Sequence, residues 1–139
     1  MKRARADLRK GKAKSTAAGE FIREEMHHIR EGKHGARSTK QAIAIGLSKA
    51  RRAGFDAGTP KHASKRVKKQ IAHERASAKH PHAVSKTRSK AMKKALKREP
   101  HRAASHKALS RHAHTAAMKR TAKERSASAK KAARTRAHE

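Results

Sequence analysis

The sequence predicts an all-α protein, a short helical hairpin followed by a largely extended or disordered basic tail with helix-prone segments. Three observations lead there. Most of the 34% of residues that count as hydrophobic are alanine, which favours helix strongly but buries little surface. Leu, Ile, Val and Phe together number only 13 of the 139 residues, well under the share of about one-fifth below which a highly charged chain usually stays disordered. Apolar stripes of helical period concentrate between residues 17 and 54, and no alternating strand pattern occurs.

Charge divides the chain into three zones. Residues 1–14 carry seven Lys or Arg against Asp7 alone and read as a basic flexible arm. Residues 15–58 hold half of the ten acids, both phenylalanines and four of the five isoleucines, and read as the helical hairpin module. Residues 59–139 read as an Ala/Lys/Arg-rich basic tail, partly helical, with 25 basic residues against four acids.

Within the hairpin, Ile22, Met26 and Ile29 fall at i, i+4 and i+7 with Phe21 beside them, a single apolar stripe. Gly32 stands where a helix ends in left-handed backbone. The loop Gly32-Lys33-His34-Gly35-Ala36 has the length of a tight helix–helix connection. Ser38 and Gln41 have the spacing of a capping box opening a second helix over about 39–53. Ile43, Leu47 and Ala50 form its stripe, and Gly54 followed by Phe55 suits a stop with an apolar contact behind it. The expected hairpin core is therefore Phe21, Ile22, Met26, Ile29, Ile43, Leu47 and Phe55. So few large side chains leave it at the margin of stability. Small Ala42, Ala44, Gly46 and Ala50 on the second helix would permit close helix packing, and self-association through the hairpin or docking onto a partner would complete the core.

In the tail, Thr59-Pro60 has the pattern of a helix start, with Ala63, Val67, Ile71 and Ala78 along the helix and Pro81 ending it. A further helical segment over about 85–98 contains Ala91, Met92, Ala95 and Leu96 and stops before Pro100. The end of the chain, SASAKKAARTRAHE, is low-complexity.

The formal charge of +30, from 40 Lys and Arg against 10 Asp and Glu, calls for a polyanionic partner. Thirty charges match roughly 50 Å of duplex, about 15 base pairs. The expected phosphate contacts are the paired basic residues Lys65, Arg66, Lys68 and Lys69; Lys93, Lys94, Lys97 and Arg98; Lys119 and Arg120; Lys130 and Lys131. When helical, this spacing distributes charge around the cylinder instead of along one stripe. Tyr and Trp are absent, so no aromatic platform exists for stacking unpaired bases. Asn is also absent, and Gln occurs only at Gln41 and Gln70, which leaves adenine edges poorly read. Phosphate contact without sequence preference is the better match. Duplex DNA is the favoured partner and structured RNA the second.

Other chemistries find little support. Without cysteine there is no disulfide, thiolate or zinc-finger chemistry. Serines lie in Ser-Lys and Ser-Ala tracts with no orienting acid, and no phosphate-cradling glycine loop occurs, so the expectation is a non-enzyme without a cofactor. Twelve histidines, among them His27, His28 and His34 near Glu24 and Glu31, and His112 and His114, have no metalloprotease spacing; the expectation is no metal site. No apolar run approaches a membrane span, and no apolar stretch follows the basic start as a signal peptide requires.

Residues 20–54, above all Gln41-Ala42-Ile43-Ala44-Ile45-Gly46-Leu47-Ser48-Lys49-Ala50, resemble a family of small basic bacterial proteins sometimes labelled plasmid-stabilisation proteins. The resemblance covers about a quarter of the chain and implies DNA association. Gly46 departs from the alanine more usual there, which predicts a looser second helix. The composition of residues 61–139 is similar to that of histone-like bacterial chromatin proteins. Together these features lead to the expectation of a nucleoid-associated, cytoplasmic protein that binds DNA largely independently of sequence, with RNA or ribosome binding as the alternative.

Overall fold

The computed structural model describes residues 1–60, 62–81 and 83–137. Every regular element among them is helical: α1 (Lys2–Arg9), α2 (Lys14–Arg30), α3 (Thr39–Arg52), α4 (Lys65–Lys79), α5 (Lys86–Lys97), a 3-10 turn (His101–Ala104), α6 (His106–Met118) and α7 (Ala122–Ala137). Two compact units divide the chain, Met1–Ser105 and a second beginning at His106.

Helices α2 and α3 form the expected hairpin, and local chemistry sets their ends. Gly32 and Gly54 have φ of +75° and +84°, backbone that only glycine adopts without strain. The Ser38 hydroxyl accepts from the Gln41 amide at 3.2 Å, and the Gln41 side chain returns to accept from the Arg37 amide at 2.8 Å. At the far end of α3, the Phe55 amide donates to Ala50 O at 2.9 Å and the Gly54 amide to Arg51 O at 3.0 Å. That pair of bonds is a Schellman stop. It folds the Phe55 ring back to within 5.2 Å of Phe21.

The core differs from the stripe the large residues suggest. Phe21, Met26, Ile29 and Phe55 are buried, but Ile22, Ile43 and Leu47 are only half-buried. The buried face of α3 runs instead through Thr39, Ala42, Gly46 and Ala50. Gly46 lies against the backbone of α2: a Cβ there would stand 2.7 Å from Ile22 Cα and 3.0 Å from Ile22 N. The glycine expected to loosen α3 is where the two helices come closest. Large residues flank this seam because backbone fills it.

Two further expectations are corrected. The segment read as a flexible arm forms α1, whose Ala4 is buried with Ala17, Ala18, Phe21, Ala50 and Phe55. The segment read as an extended or disordered tail is helical over most of its length, and part of it packs onto the hairpin. Helix α4 packs on α3, and the 3-10 turn packs on α2 and α3. This docking escapes a count of large side chains because the docked residues are small. Ala103 and Ala104 are buried while polar groups fasten their carbonyls: Thr39 Oγ1 donates to Ala103 O at 2.7 Å and Arg30 Nε to Ala104 O at 2.8 Å. Thr59-Pro60 also does not open α4; Ser64 does, accepting from the Val67 amide at 3.3 Å.

The seam makes Gly46→Ala destabilising although alanine favours helix. The added methyl meets backbone, so the expected cost is about 1–3 kcal/mol, read as a lowered midpoint in urea unfolding. A variant as stable as the parent would show that α2 and α3 do not meet at Gly46.

Candidate nucleic-acid interface

Helix α4 carries four of the expected phosphate contacts, and its inward face determines where they point. Ile71 and Glu74 are its buried residues, one turn apart and turned toward α3. Arg51, itself buried, donates from Nη1 to Glu74 Oε2 at 3.0 Å, and Gln70 Nε2 donates to Glu74 Oε1 at 3.0 Å. Arg75 adds an ion pair to Asp56 at 2.7 Å. With that face fixed, Lys65, Arg66, Lys68 and Lys69 are all exposed.

Glu74 lies under opposing influences. Burial alone would raise its carboxyl, but hydrogen bonds from Gln70, Ser48 and Arg51, with the Arg51 charge, outweigh burial and hold it below the usual carboxylate range. Its contribution to stability is therefore complete above its unfolded value near pH 4.3 and is lost as the pH falls through the lower folded value.

Helix α5 sets most of its charge along one face. Lys90, Lys93, Lys94, Lys97 and Arg98 line an open concavity of about 410 Å³. They fall at i, i+3, i+4, i+7 and i+8, so their charge forms a stripe along this helix instead of encircling it. Ser85 caps the start of α5, accepting from the Arg88 amide at 3.4 Å. Its C-terminal end is fastened to the hairpin loop, where the Gly35 amide donates to Leu96 O at 2.8 Å and the Ala36 amide to Pro100 O at 3.1 Å. The approach is so close that a Cβ on Gly35 would lie 1.8 Å from Glu99 O.

The remaining expected contacts belong to the second unit. Lys119 and Arg120 lie between α6 and α7, and Lys130 and Lys131 lie on α7; all four are exposed. The low-complexity end lies on α7 as far as Ala137, and a capping box opens that helix. Glu124 Oε2 accepts from the Thr121 amide at 2.9 Å, and Thr121 Oγ1 accepts from the Glu124 amide at 3.2 Å. Arg120 is engaged locally, donating to Glu124 O at 2.8 Å and to the Ser128 hydroxyl.

Two features of the molecule were missed from sequence, one on this surface and one buried. Lys90 completes the α5 stripe, and its spacing from Lys93, Lys94 and Lys97 carries the signal. Glu25 has no such signal. It shares the α2 stripe with Phe21 and Ile29 and is 1% exposed. Lys49 Nζ donates to its Oε2 at 2.5 Å, and His34 Nε2 lies 3.2 Å from its Oε1. A buried acid reads as a surface residue until its partners from the loop and α3 are known.

Among the described residues, no helix is long and apolar enough to cross a membrane. No protein-family model, no curated protein and no solved structure matches the chain.

Removing the Glu74 carboxylate leaves Arg51 buried without its counter-charge. Glu74→Ala is expected to cost about 3–5 kcal/mol, measured by urea unfolding at neutral pH. The parent should lose stability below about pH 4, and Glu74→Gln should lose less over the same acid range. Parallel acid profiles for the two proteins would show that Glu74 is not held as an anion.

Proposed function

We propose that this protein is a non-enzymatic nucleic-acid-binding protein that grips duplex DNA through its phosphates, largely without regard to sequence, in the manner of a nucleoid-associated, histone-like protein. The observation that carries this reading is the α5 stripe, five cations on one helix face whose end is hydrogen-bonded to the hairpin loop. Cations held on a folded element meet a phosphate backbone at lower entropic cost than the same cations on a free chain. The exposed quartet on α4 adds a second basic face in the same unit.

The side chains available support phosphate contact over base reading. Lys and Arg are plentiful, whereas Asn and the large aromatics Trp and Tyr are absent, so neither adenine edges nor unstacked bases have a dedicated partner. The same chemistry admits structured RNA as the second partner. A cytoplasmic, nucleoid location follows from duplex DNA as the first partner.

The test is binding of the full chain to a labelled 20-base-pair duplex across a salt series. Affinity should fall steeply with salt, with a slope of about 0.9 per phosphate neutralised. Replacing Lys93, Lys94, Lys97 and Arg98 together with Gln should lower that slope by about 3–4. An unchanged slope would remove α5 from the interface. Displacement of the duplex by much lower concentrations of structured RNA would replace DNA with RNA as the partner.

A further inference from the structure

Glu25, His28 and His34 bring one donor atom each to within 4.8 Å of one another. Glu25 and His28 lie one turn apart on α2, and His34 comes back from the loop that follows. The two imidazoles meet edge to face, with ring centroids 6.4 Å apart.

The hydrogen bonds around these groups leave a gap in the middle. His34 Nδ1 lies 3.1 Å from Gly35 O; a carbonyl oxygen only accepts, so Nδ1 is the donor. That leaves His34 Nε2 facing Glu25 Oε1 at 3.2 Å, yet the contact is not aligned as a hydrogen bond, and this buried oxygen has no hydrogen-bond partner. An unsatisfied carboxylate oxygen in a buried position is costly. The other oxygen is occupied by Lys49 Nζ at 2.5 Å, which orients the carboxylate and leaves Oε1 toward the two histidines. Glu24 lies beyond His28, 3.9 Å from its Nε2, and is exposed.

We infer that Glu25, His28 and His34 bind a divalent cation of the zinc class. Two imidazole nitrogens and one carboxylate oxygen are a donor set that suits zinc over the oxygen-loving magnesium or calcium. A ligating histidine whose other ring nitrogen donates to a backbone carbonyl is held in the required tautomer and orientation, and Gly35 O does this for His34. A bound ion satisfies Oε1 and ties α2 to its own exit loop. Gly35 and Ala36 of that loop hold the end of α5, so the ion would stiffen the support of the basic stripe. This inference does not depend on the nucleic-acid reading.

The test is a zinc titration of the full chain against a competing chelator, without nucleic acid. The parent should take up one ion tightly and melt at higher temperature when loaded. His28→Gln and His34→Gln should each weaken that site at least tenfold, a loss of the order seen when a site's supporting partner is removed. Replacing His112 and His114 together with Gln should leave it unchanged. His28 is the safer variant because its side chain is 27% exposed against 16% for His34, and circular dichroism would verify its fold. X-ray absorption at the zinc edge should report two imidazoles in the parent and one in either variant. Equal zinc affinity in the parent and the His28→Gln, His34→Gln double variant, or no site tighter than the remaining histidines provide, would overturn the assignment.

Discussion

Everything in the first unit depends on how closely α2 and α3 approach at Gly46. A chain with so few large apolar side chains cannot hold two helices apart with a layer of leucine and isoleucine between them. It brings backbone against backbone instead, with Ala42 and Ala50 continuing the seam on either side of Gly46. Dispersion contacts between closely packed backbones then supply part of what bulk hydrophobic burial supplies elsewhere. The two phenylalanines close one end of this seam, packed on each other among Ala4, Ala17, Ala18 and Ala50.

Alanine surfaces bury little, so later elements are fastened by hydrogen bonds to backbone and by a buried ion pair. Thr39 and Arg30 hold the carbonyls of the 3-10 turn, Gly35 and Ala36 hold the end of α5, and Arg51 with Glu74 holds α4. These fastenings use a few buried charges on the inward faces and leave the lysines outside. Repulsion among exposed cations opposes the compact state, and a polyanion that neutralises them relieves it. In the proposed function, binding and folding therefore reinforce each other through the same charges.

The hairpin was legible because its signals are local. Gly32, the Ser38–Gln41 cap and the Gly54-Phe55 stop each act within a few residues and need no distant partner. The buried face of α3 was misread because a search for large apolar residues overlooks a stripe of Thr39, Ala42, Gly46 and Ala50. Docking of the tail was illegible for a related reason: Ala103 and Ala104 look like any other alanines until Thr39 and Arg30 are seen to hold their carbonyls. Glu25 was hidden because its partners, His34 and Lys49, come from a loop and another helix. The basic stripe of α5 lies between these cases, since its spacing is present in the sequence but Lys90, between Ser89 and Ala91, belongs to no adjacent basic pair.

The most direct measurement is an amide NMR titration of the full chain with a short duplex at physiological salt. The account predicts that shifts concentrate at Lys65, Arg66, Lys68 and Lys69 on α4 and at Lys90 through Arg98 on α5. Ile22, Gly46 and Ala50 in the seam should hold their positions as the duplex is added. Shifts centred on the seam, or none on α4 and α5, would contradict a folded hairpin that carries basic helices to the phosphates.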